Sequence, residues 1–255
     1  MDVTARAALV TGGSRGIGRA ISLALARDGF DVAVNYRRDA ESAAATVAEI
    51  EALGRRAVAV PGSVDSWEVC QRLVAETVEA FGSLSAVVHN GGIASRGNTV
   101  ADTDPDEFER VVRTHLFGGF YLAKAALPHL VLHPRSDVVM LSSVSAADHH
   151  ANGSPYNSAK AGLEALAGTL ARESNRRGVR VNVVAPGLVA TAMGDRLATA
   201  VTGVGVAHEL DAKAPFGQVC TPEQVADVVA FLVSPAGSYV SGAVIRVDGA
   251  GSPLS

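Results

Sequence analysis

Along the chain, short β-branched runs alternate with longer stretches whose apolar residues recur at helical spacing, the pattern of βαβ units feeding a parallel sheet. The strand candidates are AALVT from Ala7, DVAVN from Asp31, RAVAV from Arg56, LSAVVH from Leu84, DVVML from Asp137, RVNVVA from Arg180 and AVIRV from Ala243. Capping chemistry marks the helix ends. Asp104-Pro105-Asp106-Glu107 and Thr221-Pro222-Glu223-Gln224 both read as capping boxes, with proline at the first helical position and the third residue after the cap able to reach back. Ser154-Pro155 opens another helix, and Gly29, Gly54 and Gly178 stand where a left-handed residue would close one. The alternation predicts an α/β fold: a doubly wound, parallel, seven-stranded sheet with helices on both faces.

The length of 255 residues suits one α/β domain spanning 1–255, and no repeat, low-complexity tract or proline-rich linker divides it. One stretch breaks the rhythm. Thr191 to Cys220 carries Gly194, Gly203, Gly205 and Gly217 among small apolar residues, and segment 191–220 is expected to be a substrate-binding lid, a surface loop being the alternative.

Composition then narrows the function. With 48% apolar residues, the chain has no stretch approaching the roughly 18 unbroken apolar residues of a membrane span, and MDVTARAALV carries no basic flank or cleavage site. A soluble, cytoplasmic protein without a membrane partner is expected. A net charge of -4 with scattered Lys and Arg offers no basic stripe to nucleic acid. Cys70 and Cys220 stand far apart and in no metal-ligand spacing, so buried free thiols and no metal site are expected.

The chemistry begins right after the first strand, at TGGSRGIGRA, Thr11 to Ala20, with Ile17, Ile21 and Leu25 continuing at helical spacing. Glycines at Gly12, Gly16 and Gly18 let the chain turn tightly, bring backbone close to a pyrophosphate and present helix N-terminal amides to it, with Ser14 and Ile17 in the same turn. Later, Tyr156-Asn157-Ser158-Ala159-Lys160 puts a phenol and an ammonium on one helical face. A tyrosine pKa of about 10 is too high for efficient proton transfer near neutrality. Lys160 and the helix N-terminus behind Pro155 would both favour the ionised phenol.

The T-G-x-x-x-G-x-G spacing resembles the short-chain dehydrogenase/reductase family, and in particular its 3-oxoacyl-[acyl-carrier-protein] reductase-like members. The resemblance runs over nearly the whole chain. His89-Asn90-Gly91-Gly92 is similar to the family's N-N-A-G, with His89 for Asn and Gly91 for Ala. Pro186-Gly187-Leu188-Val189-Ala190-Thr191 is similar to its P-G-x-V-x-T, which implies that the Val189 backbone and the Thr191 hydroxyl hold the nicotinamide carboxamide. Val240-Ser241-Gly242 and Val247-Asp248-Gly249 resemble its C-terminal signature. The family implies a Rossmann-type fold, a nicotinamide cofactor and a homotetramer.

The end of the second strand reads Asn35-Tyr36-Arg37-Arg38, with no carboxylate for a free ribose hydroxyl. Arg15 and Arg37 would instead receive a 2′-phosphate, so NADP(H) is favoured over NAD(H), Arg38 being better read as solvated. Ser63-Val64 falls where the family has Asp-Val beside adenine.

By the same resemblance Ser143, at the end of the fifth strand, orients the substrate oxygen and Ser142 is structural, while hydride passes to the substrate carbon and Tyr156 moves the proton. The substrate is expected to be a small-molecule carbonyl compound or alcohol. Lys160 would bind the nicotinamide ribose and a proton relay. His115 stands where the family has its catalytic asparagine. Its backbone carbonyl could hold the relay water; its imidazole, with an unperturbed pKa near 6.5, could join the relay; or the chain could be a catalytically impaired dinucleotide-binding regulatory protein. Between Ser143 and Tyr156, His149, His150 and Asn152 are candidates for contact with the substrate.

Overall fold

Successive residues along each strand serve two different cores. In β1 (Ala7–Val10), Ala7 and Leu9 face one layer of helices and Ala8 and Val10 the other. β5 (Ser136–Leu141) does the same, with Val138 and Met140 on one side and Val139 and Leu141 on the other. A strand that must bury both faces is apolar at every position, which is why these runs lack polar alternation. The computed structural model describes residues 6–254. Its sheet adds β2 (Asp31–Tyr36), β3 (Ala57–Pro61), β4 (Ala86–His89), β6 (Val179–Pro186) and β7 (Val244–Val247). The order is β3-β2-β1-β4-β5-β6-β7, every pair parallel, as the alternation predicts.

α1 (Gly16–Arg27), α2 (Ala40–Ala52) and α9 (Pro222–Val233) cover one face. α3 (Trp67–Phe81), α5 (Gly118–Leu130) and α7 (Ser154–Ser174) cover the other. Leu122 and Leu163 there are wholly buried, each contributing about 2 kcal/mol of apolar transfer energy. The chain reverses its winding between β1 and β4, and a doubly wound sheet opens its binding crevice at that point, outside the carboxyl ends of the strands.

Gly29, Gly54 and Gly178 have φ of 89°, 77° and 78°, the left-handed closures expected. The box at Thr221 forms, its hydroxyl accepting from the Gln224 amide while Gln224 reaches back to the Thr221 amide. The one expected at α4 (Pro105–Val112) does not. Asp104 caps the Asp106 amide, and Glu107 turns inward to accept from the Arg96 amide at 2.5 Å. A loop carrying an unpaired buried amide outcompetes a cap that water could replace. Cys70 is a buried free thiol; Cys220 is also free but only half-buried.

Segment 191–220 is more regular than its sequence shows. It forms α8 (Ala192–Thr202) and short 3-10 turns at Ala207–Lys213 and Pro215–Gly217, closed over a small core of Leu188, Ala198, Ala207, Leu210, Ala214 and Val219. In α8 the apolar residues Met193, Leu197 and Val201 recur four apart but are exposed, while Gly194 and Ala198 face the small core, so apolar spacing does not mark the buried face.

Candidate active site

The glycine loop is shaped by contacts that exclude side chains. Gly12 and Gly16 have φ of 61° and 51°, and a Cβ on Gly18 would lie 2.0 Å from the Gly12 carbonyl oxygen. Side chains cap α2, α3, α4, α8 and α9, but none caps α1, whose N-cap residue is Arg15. Its first-turn amides are therefore available to an anion, and the pyrophosphate of a dinucleotide fits this cradle. Ser14 is buried, its carbonyl accepting from Thr46, while Ile17 packs against the α1 side of the core. Arg15 and Arg37 are exposed, and among the described residues their side chains make no hydrogen bond or salt bridge, although the Arg15 charge reaches Asp39.

Two asparagines brace this loop. Asn90 donates to the carbonyls of Thr11 and Gly12 at 2.9 and 3.2 Å. Asn35, which the sequence offered only as the absence of a carboxylate, accepts from the Gly12 amide at 3.3 Å and donates to Val60 and Gly62. Gly91 donates its amide to the Thr11 hydroxyl. Ser63 is half-buried, and the Val64 side chain belongs to the core, so it is the Val64 backbone that could reach a base.

Tyr156 and Lys160 lie one turn apart at the start of α7, which has no side-chain cap either. Lys160 Nζ stands 5.4 Å from the Tyr156 ring centroid and donates to the Leu141 carbonyl at 2.6 Å. At the end of β5 the serines diverge. Ser142 turns inward, donating to Glu164 at 2.7 Å, whereas Ser143 faces Tyr156 and takes the Ser145 amide at 3.2 Å.

Burial governs the titration of this group. It pushes the Tyr156 phenol up to about 12 against the opposing pull of the Ser143 hydroxyl, and pushes Lys160 down to about 7 against the raising effect of Glu164. The expected preference for ionised phenol is thus opposed in the chain alone, because desolvation outweighs the Ser143 hydrogen bond at the phenol and the Glu164 charge at the ammonium.

His115 sits in a π-helical turn, Arg113–Phe117, that joins α4 to α5. Its ring is buried edge-on to Tyr156, with centroids 5.2 Å apart at 86°, and Nε2 lies 2.8 Å from the Ile93 carbonyl. Gly92 must be glycine to admit this ring, since a Cβ there would come within 2.3 Å of Cε1. The carbonyl of His115, read as a holder of relay water, accepts from Nε2 of His89 at 2.9 Å and keeps a second lone pair for such a water. The imidazole is not poised near neutrality: burial, with Lys160 adding to it, holds it well below its usual range.

His149, His150 and Asn152 are exposed on the loop after α6 (Ser145–Asp148), where the chain turns left-handed at His149 and Asn152. Their side chains make no hydrogen bond to Ser143, Tyr156 or Lys160. The His150 carbonyl accepts from Asn157, and Arg246 of β7 grips Asp148 with two bonds of 3.0 and 3.1 Å, a clamp the sequence did not show. At the end of β6, the Gly187 amide donates to Val247, Val189 is buried, and Pro186 completes the strand. Thr191 caps α8, accepting from Gly194 at 3.1 Å and donating to Val189 at 3.3 Å, so its hydroxyl hydrogen is engaged. Its methyl lies within 3.3 Å of the Cβ position of Gly16, bringing the start of segment 191–220 onto the glycine loop.

Among the described residues, no three His, Cys, Asp or Glu side chains are grouped as metal ligands, and no helix is long and apolar enough to cross a membrane. Sheet order, glycine cradle and the Ser143–Tyr156–Lys160 group together define an α/β oxidoreductase of a single domain. A family model described as enoyl-(acyl carrier protein) reductase matches residues 12–251. The 3-oxoacyl-[acyl-carrier-protein] reductase FabG of Staphylococcus aureus is 36% identical over 96% of this chain and 97% of its own. An L-rhamnose 1-dehydrogenase (NAD(P)(+)) of a Sphingomonas species is 37% identical, covering 94% of both. A short chain dehydrogenase from Burkholderia cenocepacia, solved in complex with NADP, superposes with a TM-score of 0.86 at 33% identity, covering 98% of both chains. The chain belongs to the short-chain dehydrogenase/reductase family.

Proposed function

We propose that this chain is an NADP(H)-dependent ketoreductase, interconverting a ketone and a secondary alcohol with Tyr156 as general acid and base. The observation that carries the reading is the Tyr156 phenol set between the Ser143 hydroxyl and the buried Lys160 ammonium at the carboxyl edge of the sheet. The amides of the glycine loop and α1 would hold the pyrophosphate, and the exposed guanidinium groups of Arg15 and Arg37 the ribose phosphate. Ser63 and Val64 would meet adenine. Asn90, Gly91 and Gly92 would line the adjoining floor, Pro186, Gly187, Val189 and Thr191 the nicotinamide amide, and Tyr156 and Lys160 the nicotinamide ribose. NADP in the Burkholderia relative supports the cofactor choice. When bound, the nicotinamide supplies or accepts the hydride.

The remaining work falls to the chain. Ser143 donates to the substrate oxygen, Tyr156 gives that oxygen its proton in reduction and takes it back in oxidation, and Lys160 stabilises the phenolate left behind. Segment 191–220 acts as the lid, with His149, His150 and Asn152 at the mouth. A homotetramer is supported by exposed Phe108, Phe117 and Phe120, an apolar row along α4, the π turn and α5 that a neighbouring subunit would cover.

The test is Tyr156→Phe, assayed with NADPH and a panel of ketones. Turnover should fall by about 10²- to 10⁴-fold while NADPH affinity, read by fluorescence titration, persists. Retained turnover would move the acid elsewhere. A wild type that binds NADPH but turns over no carbonyl compound would make the chain a binding protein.

A further inference from the structure

We propose that His89 is a positioning residue for Tyr156, acting through its bond to the carbonyl of His115; the inference rests on the role given to Tyr156 above. His89 ends β4 and is buried at 2% exposure. Its ring spans two elements far apart in sequence, with Nε2 2.9 Å from the His115 carbonyl oxygen and Nδ1 3.4 Å from the Thr11 hydroxyl. A carbonyl can only accept, so Nε2 carries the hydrogen and Nδ1 is left as an acceptor. The Thr11 oxygen already receives the amides of Asn90 and Gly91, at 3.0 and 2.9 Å, so its own hydrogen is free to point to Nδ1 or to the Val88 carbonyl.

From His115 the linkage continues by packing. Its backbone lies in the π turn, a helix irregularity frequent at functional sites, and its ring has little freedom to move. Ile93 holds Nε2, the Gly92 backbone backs the ring face, and the ring edge meets Tyr156. A rotation of residue 115 would therefore be transmitted to the phenol. The chain of contacts Thr11, His89, His115, Tyr156 joins the loop that receives the dinucleotide to the group that moves the proton. Two departures from the family pattern, at positions 89 and 115, thus prove to be partners.

The two amide replacements separate the ends of the His89 ring. Glutamine places its amide nitrogen near Nε2 and keeps the donor to His115; asparagine reaches only the Nδ1 position and keeps the contact to Thr11. With NADPH and an active ketone, H89Q should keep kcat within about threefold, whereas H89N should lose about tenfold or more, because proton transfer is steeply sensitive to misplacement. The NADPH dissociation constant should move by less than about threefold in both, since no base or phosphate contact is touched. Wild-type kcat in H89N would overturn the proposal, as would equal losses in both variants tracking a fall in melting temperature, which would make His89 a core filler. Should H89N not fold, H89Q decides alone, a folded variant with lost kcat refuting it. Hydrogen exchange of amides 113–120 supplies a readout without turnover: slow in wild type and H89Q and faster in H89N if the clamp exists, equal in all three if it does not. A wild type inactive on every ketone would refute the role of Tyr156, while the exchange result would still decide the clamp.

Discussion

The dinucleotide end and the catalytic end of the cleft are built on opposite principles. Around Thr11 to Gly18 the chain presents backbone, and glycine is needed where a Cβ would strike a carbonyl. None of the groups aimed at the pyrophosphate titrates. Around Tyr156 the working atoms are side chains from β4, the π turn, β5 and α7, nearly all buried and displaced from their usual pKa. A backbone cradle tolerates little replacement, because sterics leave one residue type. A side-chain cluster can be built from other residue types wherever a partner remains within reach, as the His89 ring on the carbonyl of His115 illustrates.

That contrast can be broken first at Gly18. Gly18→Ala forces a Cβ into the 2.0 Å gap to the Gly12 oxygen, so NADPH affinity should fall on the order of 100-fold, as measured by fluorescence titration, without altering the pH dependence of stability. Wild-type affinity would show that close backbone packing does not define the cradle.

The catalytic end should reveal itself through pH. His89 is pushed from 6.5 down to about 4 by burial and by Lys160, while the carbonyl of His115 opposes the shift. Because the unfolded chain binds the proton more readily, stability from this group is complete above about pH 6.5 and is lost as pH falls toward 4. The loss amounts to about 3 kcal/mol, and His115 acts in the same direction. Urea unfolding at stepped pH should show this slope in wild type and a shallower one in H89Q; identical slopes would mean that His89 takes up its proton freely in the fold.

The smallest effect concerns the rim of the cradle. Arg15 and Arg37 are expected to give NADPH an advantage of about tenfold over NADH in kcat/KM, and R15A/R37A should abolish it while NADH efficiency holds. Equal efficiency in the wild type would return both arginines to the role of solvated surface charge.

The seven strands, the left-handed helix ends at Gly29, Gly54 and Gly178 and the glycine loop were legible because each depends on residues within a turn or a strand of one another. The spacing of Tyr156 and Lys160 was legible for the same reason. Glu107 misled, since the amide that claimed it belongs to Arg96 in another segment. α8 escaped notice because its apolar Met193, Leu197 and Val201 are exposed and its buried face is Gly194 and Ala198. Asn35, Arg246 and Glu164 gave no signal, their partners being remote in the chain.

The sequence by itself determined the order of the elements, the anion cradle and the identity of the phenol and ammonium, all properties written in local spacing. Only the tertiary structure decided that Glu164 is the partner of Ser142, that the hydroxyl of Thr191 caps a helix, and that the His89 ring reaches the carbonyl of His115. Those outcomes depend on which surfaces the parallel sheet brings together and on how much water remains between them. Desolvation and hydrogen-bond partnership belong to the assembled neighbourhood of a side chain, and that neighbourhood is drawn from parts of the chain that local spacing does not connect.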